Sequence, residues 1–304
     1  MEAVVFGNVT LDVICKTIDD VPRHESIAFD QVAVTPGGCG SNVAVGLKAL
    51  GVDTALIACL GADDAADLDE TTWKRLGVDL RYLRHTSDVP TGTSIGLVDS
   101  DSQPRFIHTS GANALLTVDD LDLKCLADEG AKILHIAGFF VLPGLVDGRL
   151  PAALAQARAM GLITSLDVVT SPRMDDPGTL WPCLPHLDIF LCNEHEAWRL
   201  TGKSDPKSAA RILQERGGNN VIIKLGAKGC WLQVSPQSQN GLSGRILASQ
   251  VDVVDTTGAG DAFASGLIAA ILEGYPLQEA CIAGNKAGGR IVSSLGAIGG
   301  WLNR

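Results

Sequence analysis

Short uninterrupted apolar runs alternate along the chain with longer stretches whose apolar positions recur every three or four residues. The short runs are AVVF (3–6), TALIACL (54–60), KILHIA (132–137), LITSLDV (162–168), LDIFL (187–191) and NVIIKL (220–225). The helical stretches are 41–50, 64–76, 148–160, 194–201 and 206–216. This is the punctuation of βαβ units, and strands that are apolar throughout predict a mostly parallel sheet covered by helices on both faces. Ligands of such sheets bind beyond the carboxyl ends of the strands. Residues 10–35 and 90–111 depart from the pattern: SIAFDQVAV, TSIGLV and RFIHTS alternate polar and apolar positions, which predicts a small half-exposed sheet formed by two excursions from the main domain, a lid. VDVV (251–254) reads as one more strand. Beyond it, Phe263, Leu267 and Ile271 mark one helix, and Leu277, Ala280, Ala283, Ala287 and Ile291 a second.

Composition narrows the partners. The chain has 304 residues, 46% of them apolar, enough for one large α/β domain over 1–304, and no Pro/Ser-rich linker divides it. A net charge of −11 opposes binding to nucleic acid or to an anionic membrane, which leaves a small molecule as the expected partner. The opening MEAVVFGNV has no basic region ahead of its apolar run, and no stretch approaches the roughly 18 apolar residues of a membrane span, so a cytoplasmic protein is expected. Eight scattered cysteines, with no C-x-x-C pair, are expected to be reduced thiols.

Two glycine-rich entries into helices carry the chemistry. In DTTGAGDAFASGL (255–267), Gly258, Ala259 and Gly260 open a helix whose unpaired N–H groups can receive an anion. Asp261 would repel a resting phosphate; it makes sense facing a hydroxyl whose proton it accepts while the amides stabilise a transferring phosphoryl group. The plainer alternative makes Asp255 and Asp261 helix caps. In TPGGCGSNVAVGLKALG (35–51), Gly37, Gly38 and Gly40 permit close backbone approach, and the amide of Asn42 offers a donor and an acceptor to a polyhydroxyl ligand. This stretch lacks the G-K-[ST] of a phosphate-binding loop, and FGNVTLD lacks the glycine pattern of a dinucleotide-binding oxidoreductase. GNVTLD (7–12) reads as a strand ending at Asp12, a second hydroxyl acceptor.

GGCGSN (37–42) and DTTGAGD (255–261), with GAN (111–113), NEHE (193–196) and KLGAKG (224–229) between them in order, resemble the ribokinase-like carbohydrate kinases of the phosphofructokinase B type. The resemblance covers nearly the whole chain. It implies a ribokinase-like three-layer αβα fold with a small β lid, and ATP- and Mg²⁺-dependent phosphoryl transfer to a sugar hydroxyl. Nucleoside kinases of the same family, or a non-catalytic sugar- or nucleotide-sensing protein, are the alternatives. Carried onto this sequence, it makes Asp261 the base and Gly258, Ala259 and Gly260 the anion hole. Asp12, Gly37, Gly38 and Asn42 would hold the sugar. Asn193 and Glu196 would help place Mg²⁺, Glu196 through water; Gly226 and Asn285 would border the nucleotide. Asp255 matches a ligand of a monovalent cation such as K⁺ in some members, and several relatives pair as homodimers through the lid. Cys39 stands where ribokinases usually carry Lys, and Thr10 where they often carry Asn. Arg105 and His108 are not where the acidic-sugar kinases place their arginine, so a neutral sugar or a nucleoside is expected.

Overall fold

The computed structural model describes residues 1–101, 104–237 and 242–302; residues 102–103 of the second lid excursion lie outside the described residues. In chain order it begins β1 (Ala3–Gly7), β2 (Thr10–Lys16), β3 (Gln31–Gly37), α1 (Cys39–Ala49), β4 (Thr54–Gly61), α2 (Asp64–Leu76), β5 (Leu83–Thr86), β6 (Thr93–Val98) and β7 (Pro104–Thr109). It continues through α3 (Leu123–Asp128), β8 (Ile133–Ala137), α4 (Leu150–Ala159), β9 (Ile163–Asp167), β10 (Ile189–Asn193), α5 (Glu194–Thr201), α6 (Pro206–Glu215) and β11 (Asn220–Lys224). β12 (Cys230–Gln233), β13 (Gly244–Ile246), α7 (Ala259–Leu272), α8 (Leu277–Ile291) and α9 (Gly299–Leu302) complete it.

Nine strands form one sheet in the order β13-β12-β11-β10-β9-β8-β1-β4-β5, parallel except at the β11–β12–β13 edge. Successive side chains of a strand point to opposite faces, and β1 shows the result: Ala3 and Val5 join a core with α1, α7 and α8, while Val4 and Phe6 join a second core with α3, α4 and α6. These two cores make the three layers. All eight cysteines are free thiols. Among the described residues no helix is long and apolar enough to cross a membrane.

A separate four-stranded sheet, β3-β2-β6-β7, is built from the two alternating excursions. Its register carries one row, Thr35–Asp12–Ser94–His108, straight across the four strands, and the next, Val34–Val13–Ile95–Ile107, on the opposite face.

Three sequence expectations are corrected. VDVV (251–254) is not a strand: Val254 N–H donates to the carbonyl of Val292, at the end of α8, instead of to a neighbouring strand. Asp12 does not end the first strand; the chain breaks at Asn8 and Val9, and Asp12 lies inside β2. SIAFDQVAV is a strand only from Gln31, because its partner β2 ends opposite that residue and Thr17 follows with φ of 69°.

Candidate functional site

A cavity of about 600 Å³ opens where the carboxyl ends of the large sheet meet the small sheet and the N-termini of α1 and α7. Each entry loop is fitted to it by glycine. Gly258, the residue before α7, has φ of 75°, and a Cβ there would fall 2.6 Å from Ala297. At Gly37 a Cβ would lie 2.0 Å from the carboxylate of Asp12, so the carboxylate occupies the space a side chain would take.

Asp261 stands in the first turn of α7, two residues past its first residue, and is therefore not the helix cap. Its Oδ2 accepts a hydrogen bond from Asn42 Nδ2 at 2.8 Å, joining the two glycine-rich entries. Burial raises its pKa above the ordinary carboxylate value, and the nearby charge of Asp167 adds to the rise; the Asn42 hydrogen bond and the Lys224 ammonium offset part of it. A carboxylate more basic than usual, facing a cavity, is suited to accepting a proton. Asp12 accepts from Thr10 Oγ1 at 2.6 Å, and burial pushes its pKa up to about 7. Asp12, Ser94 and His108 line the cavity together, as their shared row dictates. Arg105, on the opposite face, donates to the carbonyls of Ile18 and Asp19 and ties the two excursions to each other.

Asn193 and Glu196 form a capping box at the start of α5. Asn193 Oδ1 accepts from Glu196 N–H at 2.8 Å, and Glu196 Oε2 accepts from Asn193 N–H at 2.7 Å. Glu196 Oε1 also accepts from Thr170 N–H at 3.1 Å, and burial pushes the pKa of this carboxylate up to about 7. Both side chains line the cavity.

Asp255, fully buried, is not a helix cap either. Its Oδ1 accepts from Thr257 N–H at 2.9 Å and its Oδ2 from Gly296 N–H at 2.8 Å, which clamps the turn leading into α7. Gly226 is exposed in the turn after β11, and Asn285 Nδ2 reaches the carbonyl of Ile246 at 3.3 Å. Gly37, Asp255, Gly226 and Asn285 do not line the cavity; Gly38, Gly258, Ala259, Gly260, Asp12, Asn42 and Asp261 do.

Sequence reasoning assigned no role to Asp167, nor to Asn8, Asn113 and Lys224, although the last three fall within its quoted motifs GNVTLD, GAN and KLGAKG. Lys224 Nζ lies 2.5 Å from Asp167 Oδ2. Asn113 binds both the N–H and the carbonyl of Val9 and so holds the break between β1 and β2. The signal for the first pair was present: a charged residue closing an apolar strand of a parallel sheet stands at the edge where ligands bind.

Hard oxygen donors suit Mg²⁺, and the buried Oδ1 of Asp167 has no partner. Among the described residues no three His, Cys, Asp or Glu side chains converge at metal-ligand spacing, so such an ion would rest largely on water and phosphate oxygens.

The model of the pfkB family of carbohydrate kinases matches residues 2–303. A ribokinase of Mus musculus is 32% identical over 280 residues, 90% of this chain and 82% of that protein. The Arabidopsis thaliana ribokinase solved with ribose and ATP is 27% identical, with a TM-score of 0.79 over 98% of this chain and 94% of that one. A ribokinase of Thermotoga maritima is 29% identical, with a TM-score of 0.77 over 97% and 94%.

Proposed function

The chain belongs to the pfkB family of carbohydrate kinases, and from that premise we propose that it transfers the terminal phosphoryl group of ATP to a hydroxyl of a small neutral sugar. The observation that carries this reading is the Asp261 carboxylate, facing the cavity from the N-terminal turn of α7 and bonded to Asn42. Asp261 takes the acceptor proton, and the N–H groups at Gly258, Ala259 and Gly260 receive the charge that gathers on the phosphoryl oxygens. Glu196, through water, and Asp167 would hold Mg²⁺, which would supply positive charge against the phosphates. Gly226 and Asn285 would border the nucleotide, and Asp255 would serve a monovalent cation such as K⁺.

Two buried acceptors in the pocket lack donors. Asn8 Oδ1 and Asn42 Oδ1 are buried without a partner, and Asp12 offers further acceptor capacity. Sugar hydroxyls meet that demand; an acidic sugar would not, because Arg105 lies on the opposite face of the small sheet and donates to backbone carbonyls there. The two excursions act as a lid that excludes water as a competing acceptor, and two lids pair in a homodimer.

Release of ADP is the test, measured across neutral sugars, acidic sugars and nucleosides with the wild type and with Asp261→Asn. Release dependent on a neutral sugar and lost in the variant is expected. A wild type inactive across the panel would overturn the reading, and one active only on nucleosides would replace the sugar.

A further inference from the structure

Lys224 closes β11 and Asp167 closes β9, two strands away in the same parallel sheet, so both side chains emerge at the edge facing the start of α7. The Lys224 side chain is only 13% exposed, and its ammonium bonds Asp167 Oδ2 while Oδ1 of the same carboxylate has no partner. A Cβ built on Gly260 would lie 3.2 Å from Lys224 Nζ, so the ammonium borders the space above the proposed anion hole. The ammonium also has the carboxylates of Glu196 and Asp261 as charged neighbours.

We propose that Lys224 is a catalytic residue that touches the transferring phosphoryl group, with Asp167 as the positioning residue that holds its ammonium beside Gly260. This rests on the phosphoryl-transfer reading above. In the transfer the acceptor oxygen bonds to the terminal phosphorus of a nucleoside triphosphate. The bond from that phosphorus to the bridging oxygen breaks, and the bridging oxygen leaves on the nucleoside diphosphate with the electron pair. The acceptor proton passes to Asp261. Lys224 keeps its own proton, and its fixed charge meets the negative charge on the phosphoryl oxygens. A buried ammonium preset against a single carboxylate needs little reorganisation when that charge develops.

Removing Lys224 alone would strand Asp167 as a lone buried carboxylate, so the decisive variant is Lys224→Met with Asp167→Asn, compared with Asp167→Asn alone so that any loss at Mg²⁺ is common to both. Relative to Asp167→Asn we expect kcat to fall about 10²–10³-fold, as for loss of one oxyanion donor, with KM for sugar and nucleotide within a few-fold; a double variant no slower than Asp167→Asn would overturn the proposal. ADP alone should bind as in the wild type, whereas ADP with fluoroaluminate and sugar, which mimics the transition state, should bind more weakly by a similar factor. Lys224→Arg keeps the charge and the ion pair and should retain most of kcat, which covers the case of a double variant that does not fold. Wild-type turnover or wild-type fluoroaluminate binding in the folded double variant would overturn the proposal, leaving Lys224 only to neutralise Asp167; so would Lys224→Arg as inactive as Lys224→Met. An inactive wild type would strike the phosphoryl-transfer reading itself.

Discussion

Asn42 Nδ2 donates to Asp261 Oδ2 at 2.8 Å across 219 residues of sequence, so one amide ties the entry of the first helix to the entry of the seventh. The bond fixes the orientation of the Asp261 carboxylate, which the thiol of Cys39 also contacts. Replacing that carboxylate by the isosteric amide keeps the shape and removes the base. Asp261→Asn should lower kcat about 10²-fold or more while nucleotide affinity stays within a few-fold. Steady-state kinetics and nucleotide titration on the same preparation check it, and a near-wild-type kcat would remove Asp261 from the chemistry.

Gly260 provides a second check, independent of proton transfer. A side chain there would enter the space bordered by Lys224 Nζ, which lies 3.2 Å from the position of its Cβ. Gly260→Val should therefore fold, since the contact is with the end of a flexible chain, and yet lose phosphoryl transfer by about 10²-fold or more. Circular dichroism and an ADP-release assay separate the two effects. Retained turnover would mean that phosphate does not approach this turn.

The homodimer is tested on the outer face of the small sheet. Val34, Val13, Ile95 and Ile107 stand in one row across its four strands, and Val34, Ile95 and Ile107 are 53%, 38% and 65% exposed. Such an apolar row on a sheet with open edges is costly to leave in water. Light scattering should give about twice 31.8 kDa, and Ile107→Glu, which places a charge in the row, should shift the protein toward monomer. A wild-type monomer at micromolar concentration would rule the pairing out.

Much of this arrangement was legible before any coordinates, and the parts that were not share a cause. β1, β4, β8, β9, β10 and β11 were readable because both of their faces are buried, which leaves uninterrupted apolar runs, whereas β5, only partly buried, was not. Asn42 and Asp261 were readable because each follows a glycine-rich entry into a helix. Alternation within β7 places His108 and Phe106 on one face and Ile107 on the other, yet only the register through β6 to β2 reveals that His108 shares its row with Asp12 and faces the cavity. The pairing of Lys224 with Asp167, 57 residues apart, likewise depends on the order of strands in space. VDVV misled because apolar residues around an acidic one look the same in an edge strand and in an extended segment whose partner is the end of a helix.

Asp69 gives a prediction about stability instead of catalysis. It lies in α2 one turn before the buried Trp73, is fully buried, and neither carboxylate oxygen has a hydrogen-bond partner. Burial, followed by the charges of Asp12 and Asp63, pushes its pKa up to about 8 from an unfolded value of 3.8. Between those values the folded chain holds a proton that the unfolded chain has released, so stability is fully present below about pH 4 and is lost as pH rises toward 8. Asp69→Asn is neutral at every pH and escapes that loss. Its melting temperature should differ least from the wild type near pH 4 and exceed it at pH 9, by on the order of 5 °C if the carboxylate loses a few kcal/mol. Glu196 titrates in the same range but is present in both proteins and cancels in the difference, while Asp12, whose charge acts on Asp69, cancels only in part. Differential scanning calorimetry at the two pH values measures it directly. A variant less stable than the wild type at pH 9 would show that the ionised carboxylate of Asp69 has a partner in solution.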